Sequence, residues 1–369
     1  MEICKGRMFV VDNDTINYVR ENNILYVKAP EPTNAEWLKT IADIMADMLQ
    51  MEIGDYAFLW ETKGKDQKSR IYGVYRIISK PFYECKSDKT EYPFRIYVEK
   101  AYDFKEPIDE YDVLNNPYIK NSMWTMVGKK IAGKPRGTTP VSIEEIKALI
   151  LLLKENNTDY KYIPFDNERV KCVKKPLQID YEKTDDNPKV KKLSDFHPND
   201  LSYLWDKSYF VRYEKILETI FNQEMSNRNQ KFFKQIGVDV SKVIWFSNYL
   251  PYSIERSEMD YVIIQAEEKN VIDKIFLIEF QKNKVDVDHI RRAYMYSRWI
   301  NETLGYGTNI TKPIIVCEKY LKLNKDKSIF KYDIQTNELL NKYEKNEKQK
   351  LEIYTYDFSK SSLILKKCR

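Results

Sequence analysis

The sequence predicts two domains, an α+β domain followed by an α/β domain built on a mixed sheet. Three observations lead there. The chain has 369 residues, more than a single core usually organises. Residues 158–200 lose hydrophobic periodicity and carry Pro164, Pro176, Pro188 and Pro198 among many Lys and Asp, the composition of a connector. Before it the chain reads mainly as strands closed by a helix. After it the order is helix, three strands, helix, strand. The expected division is 1–156, a connector at 157–200, and 201–369.

The N-terminal elements follow in order. Phe9-Val10-Val11 opens as a strand, and residues 34–51 read as a helix with Asn34 placed to cap it. A Gly54-Asp55 turn leads into an aromatic strand ending at Trp60-Glu61, with residues 71–83 as its antiparallel partner. Residues 92–98 alternate as a further strand. Ser142 with Glu145 three residues on forms a capping box, opening a helix whose apolar run ends at Asn156-Asn157.

In the C-terminal half, residues 201–235 read as helical and place Glu214 and Glu218 on one face by their i, i+4 spacing. Residues 242–246 form a short strand. Two longer strands, 258–264 and 275–282, are joined by a tight turn at 268–270. Residues 287–304 are helical and basic through Arg291, Arg292 and Arg298, and 313–317 is an apolar strand. Period-2 geometry puts Glu279 and Gln281 on one face of the second long strand, with Ile275 and Leu277. A carboxylate ending an apolar face is costly unless compensated, and a divalent cation is one compensation. Asp260 on the preceding strand can offer it a second oxygen ligand. Lys282 points to the opposite face unless a bulge swings it inward.

Composition narrows the classes. The net charge is +5, with 157–369 at +6 and 1–156 at −1, a distribution that suits a phosphate backbone and equally a solvated lysine surface. Five scattered cysteines show no metal spacing, and the two histidines, His197 and His289, are too few for a His-rich zinc site. No apolar run approaches a membrane span and the start lacks signal-peptide form, so the expected location is cytoplasmic and no membrane partner is expected.

The stretch 258–282, with its flanking strands and helices in this order, resembles the core of the PD-(D/E)xK nuclease superfamily, a mixed sheet with helices on both faces. The resemblance implies metal-assisted phosphodiester hydrolysis. Asp260 and Glu279 are then catalytic and, with Glu214 from the first helix, hold Mg²⁺ or Mn²⁺. The third motif position is Gln281 where the family has Lys; Gln281 does that work, or Lys282 does through a bulge, or the site has decayed. Arg291 and Arg292 fall on the helix that contacts the DNA backbone.

The segments GDYAFLW (54–60), GVYRIISKPFY (73–83), YPFRIYV (92–98), NSMW (121–124) and RGTTP (136–140) resemble, in that order, an EVE domain, a PUA-like small β-barrel with flanking helices related to YTH readers of methylated RNA. The resemblance covers about residues 7–155 and implies recognition of a flipped, modified base in an aromatic cage. Trp60, expected at a strand-end rim, leads the base-binding candidates, with Tyr26, Asn13 and Trp124; Arg136 and Thr138 are placed for phosphate. Together the halves resemble modification-dependent, type IV restriction endonucleases. The expected partner is double-stranded DNA carrying a modified base, 5-methyl- or 5-hydroxymethylcytosine, cut by a homodimer. A non-catalytic binder on a decayed nuclease fold, and an RNA or repair nuclease, remain open.

Overall fold

The computed structural model describes residues 5–32, 37–62, 68–85, 91–117, 137–179, 181, 192–195, 197–199, 214–252, 257–268, 271–305, 307–319, 349–359 and 362–368. The protein is a mixed α+β structure of two compact units. One comprises Met1–Ile179, Lys189–Asp200 and Ser253–Ser257; the other comprises Asp180–Pro188, Leu201–Tyr252 and Glu258–Arg369.

The first unit is organised by a sheet of β1 (Gly6–Val11), β2 (Ile24–Val27), β3 (Tyr56–Glu61), β4 (Arg70–Ile77), β5 (Phe82–Tyr83), β6 (Phe94–Tyr102), β7 (Ile108–Asp109) and β8 (Thr138–Val141). The order is β2-β6-β4-β3-β1-β8, with β5 on β6 and β7 on β4. β1 and β3 run parallel and β3 and β4 antiparallel. Every residue of β3 is buried, because the strand sits mid-sheet with both faces covered.

Around it lie α1 (Asn13–Asn22), α2 (Trp37–Leu49), α3 (Glu110–Asn115) and α4 (Ile143–Asn156). α1 was not anticipated. It begins where Asp12 accepts a hydrogen bond from Thr15 N and ends at Asn23 in the left-handed region, φ 56°. The Gly54 turn is present: Gly54 has φ 95°, its amide donates to Ile77 O, and Asp55 Oδ2 accepts from Glu52 N. α4 starts with the expected box, Ser142 and Glu145 each capping the other's backbone. Its Ile146, Leu149 and Leu153 pack with Met8, Phe58 and Val74.

Residues of the expected connector run along this sheet. Tyr162 bridges to Tyr102 and Pro176 to Phe82, while Ile163 and Lys171 donate to Ala101 O and Ile78 O.

The second unit contains α5 (Lys215–Ser226), α6 (Gln230–Lys234), β9 (Val243–Tyr252), β10 (Ser257–Glu268), β11 (Val271–Lys284), α7 (Val287–Thr303), β12 (Thr311–Lys319), β13 (Glu352–Ser359) and β14 (Ser362–Lys367). The sheet order is β14-β13-β12-β11-β10-β9. β10 and β11 are antiparallel, β11–β12 and β12–β13 parallel, and β13–β14 antiparallel. The parallel pair β11–β12 needs a crossover, and α7 supplies it. Ile290, Ala293 and Tyr294 of α7 pack on Ile315, Cys317 and Ile353. β11 is a continuous apolar run from Ile275 to Ile278, as a strand buried on both faces requires. The strands extend beyond the expected 258–264 and 275–282 because pairing continues past their apolar cores, through two register shifts, to Glu268 and Val271. β13 and β14 were not anticipated. Residues 201–213, expected as helix, lie outside the described residues. Among the described residues no helix is long and apolar enough to cross a membrane.

Two predictions follow from the first unit. Ser142→Ala removes one half of the capping box and should cost about 1 kcal/mol, read as a lower urea midpoint. Lys5 Nζ lies 2.9 Å from Glu52 and 3.4 Å from Asp55. Burial raises the Asp55 carboxyl to about 6 against the pull of Lys5. The folded chain therefore binds more protons than the unfolded chain above the ordinary aspartate range, so stability falls as pH rises toward 6. Thermal melts of Asp55→Asn across that window should show a flatter dependence than the parent; an identical slope would exclude Asp55 as its source.

Candidate functional site

The site of the second unit forms where the β10–β11 ladder ends. Pairing runs from Glu268↔Val271 to Tyr261↔Ile278, with register shifts between Gln265 and Glu268, and is regular from Gln265↔Lys274 onward. One residue further, Asp260 and Glu279 are joined through their side chains. Asp260 N donates to Glu279 Oε1 at 3.3 Å, and Phe280 N donates to Asp260 Oδ2 at 2.8 Å. These bonds use one oxygen of each carboxylate. Glu279 is buried and Asp260 half-buried.

Burial pushes the Asp260 carboxyl above its ordinary range, opposed first by Lys215. Burial raises Glu279 further, and the neighbouring Asp260 carboxylate adds to the rise. Two carboxyls held this way resist ionising together, so a proton or a cation is favoured at the pair.

The N-terminus of α5 closes the site. Glu214 Oε1 accepts from Lys282 N at 3.0 Å, which ties the start of this helix to the end of β11. Lys215 follows, with Nζ 2.5 Å from Glu218 Oε1 and 3.3 Å from the centre of the Tyr249 ring. Asn248 Nδ2 donates to the other Glu218 oxygen at 3.2 Å. Tyr249 holds φ 58°, a left-handed conformation uncommon for a bulky side chain. Of the i, i+4 pair, Glu218 is fully buried and paired with Lys215, while Glu214 is only partly buried and reaches β11.

The register between β11 and β12 slips between Gln281 and Lys284: Gln281 pairs with Cys317 and Lys284 with Lys319, three steps against two. A bulge thus falls at Lys282-Asn283, and it presents the Lys282 amide to Glu214. Gln281 is 8 % exposed, and among the described residues its carboxamide has no hydrogen-bond partner. Arg291 and Arg292 are exposed on α7, and Arg292 lies close enough to favour ionisation of both Asp260 and Glu279.

The donor set suits a hard cation, being carboxylate oxygens from rigid strands. The fit is partial. Asp260 and Glu279 can offer an oxygen each, but among the described residues no three Asp, Glu, His or Cys side chains converge on one point. Backbone amides already engage an oxygen of Asp260, Glu279 and Glu214. Completing a site therefore draws on solvent or phosphate oxygens, as Mg²⁺ commonly does.

In the first unit, the base-binding expectations are redistributed. Trp60 is 2 % exposed and belongs to the core, because β3 is an interior strand and its end is covered; the expected rim position is not found. Thr138 is 1 % exposed and cannot meet phosphate. It accepts from Arg7 Nε and donates to Asp47 Oδ2, both at 2.8 Å, and Arg7 pairs with Asp47 at 2.6 Å. Its short polar side chain is consumed by satisfying this buried ion pair.

Tyr26 is buried, its ring 5.1 Å from Tyr18 and 4.6 Å from Tyr92, and its hydroxyl donates to Thr15 Oγ1 at 3.2 Å. Burial raises its phenol above the ordinary range. Asn13 is exposed at the first turn of α1, two residues before Thr15. Tyr26 thus joins half-exposed Tyr18 and Tyr92 in one aromatic group, which sequence reasoning missed, and among the described residues no contact places Asn13 against it. Lys28 Nζ sits 5.8 Å from the Tyr92 ring centre. Trp124 and Arg136 lie outside the described residues.

No protein-family model matches the chain, and no curated protein matches it. Among solved structures it is similar to a hypothetical protein from Leishmania major, at 10% identity and TM-score 0.30, covering 42% of this chain and 96% of that one. It is also similar to the YTH domain-containing protein mmi1, solved with RNA, at 11% identity and TM-score 0.26, covering 42% and 83%. Identities this low transfer no function.

Neutralising one of the two adjacent buried carboxyls should stabilise the metal-free protein at neutral pH. Glu279→Gln is expected to raise the melting temperature, by a stability gain on the order of 1 kcal/mol. A drop instead would show that the Glu279 charge is already compensated.

Proposed function

We propose that the chain is a modification-dependent endodeoxyribonuclease, with base reading in the first unit and phosphodiester hydrolysis in the second. The observation that carries this reading is the Asp260–Glu279 pair, two carboxylates concentrated at a strand end, with Gln281 two residues after Glu279 on the same face. The element order α5, α6, β9, β10, β11, α7, β12, one short helix aside, supports a PD-(D/E)xK nuclease reading, and the N-terminal sheet with its Tyr18–Tyr26–Tyr92 group supports an EVE-like reader.

In this reading Asp260 and Glu279 would hold Mg²⁺ or Mn²⁺ with solvent or phosphate oxygens completing the shell; Glu214, bonded to the Lys282 amide, does not converge with them on one point. Such a cation, when bound, supplies Lewis-acid stabilisation of the phosphate. Gln281 directs its carboxamide at the attacking water and orients it. The water oxygen bonds phosphorus as one phosphate–oxygen bond breaks, leaving a phosphomonoester and a hydroxyl; the water's proton goes to solvent and the leaving oxygen takes one up. Arg291 and Arg292 meet the DNA backbone. The Tyr18–Tyr26–Tyr92 group stacks a flipped base, offsetting its loss from the duplex. A methyl or hydroxymethyl group changes the fit by roughly 1–3 kcal/mol in a close pocket. One site cuts one strand, so a double-strand break calls for two copies.

A second reading is a non-catalytic binder of modified nucleic acid. The lack of three converging ligands among the described residues favours it.

The test is cleavage of one plasmid in unmodified, 5-methylcytosine and 5-hydroxymethylcytosine forms, with Mg²⁺ and with EDTA, beside melts with and without Mg²⁺. Mg²⁺-dependent cutting of a modified form only, abolished in Asp260→Ala, is expected. Mg²⁺ should also raise the melting temperature of the parent and not of Glu279→Gln. Equal cutting of all three forms removes the base-reading role. No cutting and no Mg²⁺ shift would leave the binder.

A further inference from the structure

The neutral Gln281 leaves the site without the cation its motif position would carry. The chain has another candidate on a different element. Lys215, the first residue of α5, sits one residue after Glu214, whose carboxylate is bonded to the backbone at Lys282. That bond places the helix start at the strand end bearing Glu279 and Gln281. The Lys215 side chain is mostly buried, held by Glu218 at 2.5 Å and by the Tyr249 ring at 3.3 Å. Glu218 is fully buried and is itself held by Asn248. An ammonium fixed between a carboxylate and an aromatic face loses its freedom, which is the condition for preorganised electrostatic stabilisation.

We infer that Lys215, rather than Gln281 or Lys282, is the catalytic cation of the second unit, its ammonium contacting the scissile phosphate, with Glu218, Asn248 and Tyr249 as positioning residues. This rests on the nuclease reading above. Lys215 also stands first among the charges that offset the burial of Asp260, in accord with that placement. The ammonium stabilises the charge that grows on the non-bridging phosphate oxygens as water attacks, and it takes no part in the proton balance. The bulge explains why Lys282 is not required for this: its contribution to the site is a backbone amide, already engaged by Glu214.

The experiment uses the full-length protein. It compares cleavage of the modified plasmid in Mg²⁺, binding of a modified duplex in Ca²⁺ by fluorescence anisotropy, and thermal melting. Lys215→Met should lower kcat by about 10²–10³-fold, the usual loss on removing one preorganised stabilising group. KM and the duplex Kd should stay within about threefold, since the contact matters mainly in the transition state. Lys215→Arg, which keeps the charge, should recover part of the rate and reports on function even if the Met variant melts early. Lys242→Met, at an exposed lysine paired with Glu267, serves as the control and should match the parent. A Lys215→Met enzyme at parental rate, or one whose lost rate is matched by lost duplex affinity, overturns the assignment while leaving the nuclease reading intact. A parent protein that cuts none of the plasmids overturns both.

Discussion

Asp260 and Glu279 impose the constraint around which the second unit is arranged. The sheet brings them opposite each other at the point where regular pairing stops, and each carboxylate accepts an amide from the other's strand. These side-chain bonds satisfy backbone donors that the ladder no longer reaches. They also set two acidic groups together in a shielded place. Lys215 on α5 and Arg292 on α7 offset that cost, while Glu214 and the buried Glu218 that steadies Lys215 add to it. Buried ionic groups arranged against one another are weak sources of stability.

The bulge after Gln281 shows how a small irregularity settles a role. Strict alternation sets Lys282 opposite Glu279 and Gln281, and a one-residue slip was the proposed way to bring it inward. The slip exists, but its visible use is to direct the Lys282 amide at Glu214. Helix α5 is thereby fastened to β11 through a charge-assisted hydrogen bond. The third motif position is left to an amide side chain without a partner among the described residues.

In the first unit the polar and aromatic residues divide between scaffold and surface. Arg7, Asp47 and Thr138 form a buried network linking β1, α2 and β8. Trp60 fills the core between β3 and α4. Among the described residues the Tyr18–Tyr26–Tyr92 group has two of its rings partly exposed and a lysine beside it. Stacking and positive charge are the two elements that bind an unpaired base.

Sequence by itself determined the local elements whose signals are local. The capping box at Ser142, the Gly54-Asp55 turn, the strand pair around Asp260 and Glu279 and the helix from Val287 each follow from short-range periodicity or capping chemistry. The shared face of Glu279 and Gln281 was legible for the same reason. Helix α1 was missed because its cap, Asp12, follows a strand with no loop between. β13 and β14 were missed because their polar-rich pattern becomes strand only by pairing with β12 and with each other. Tertiary structure alone decided which aromatic is core and which is surface, since a Trp at a strand end looks the same whether its sheet edge is open or covered. It alone placed Lys215 against Tyr249 and tied Glu214 to Lys282, contacts that cross 34 and 68 residues and leave no periodic trace.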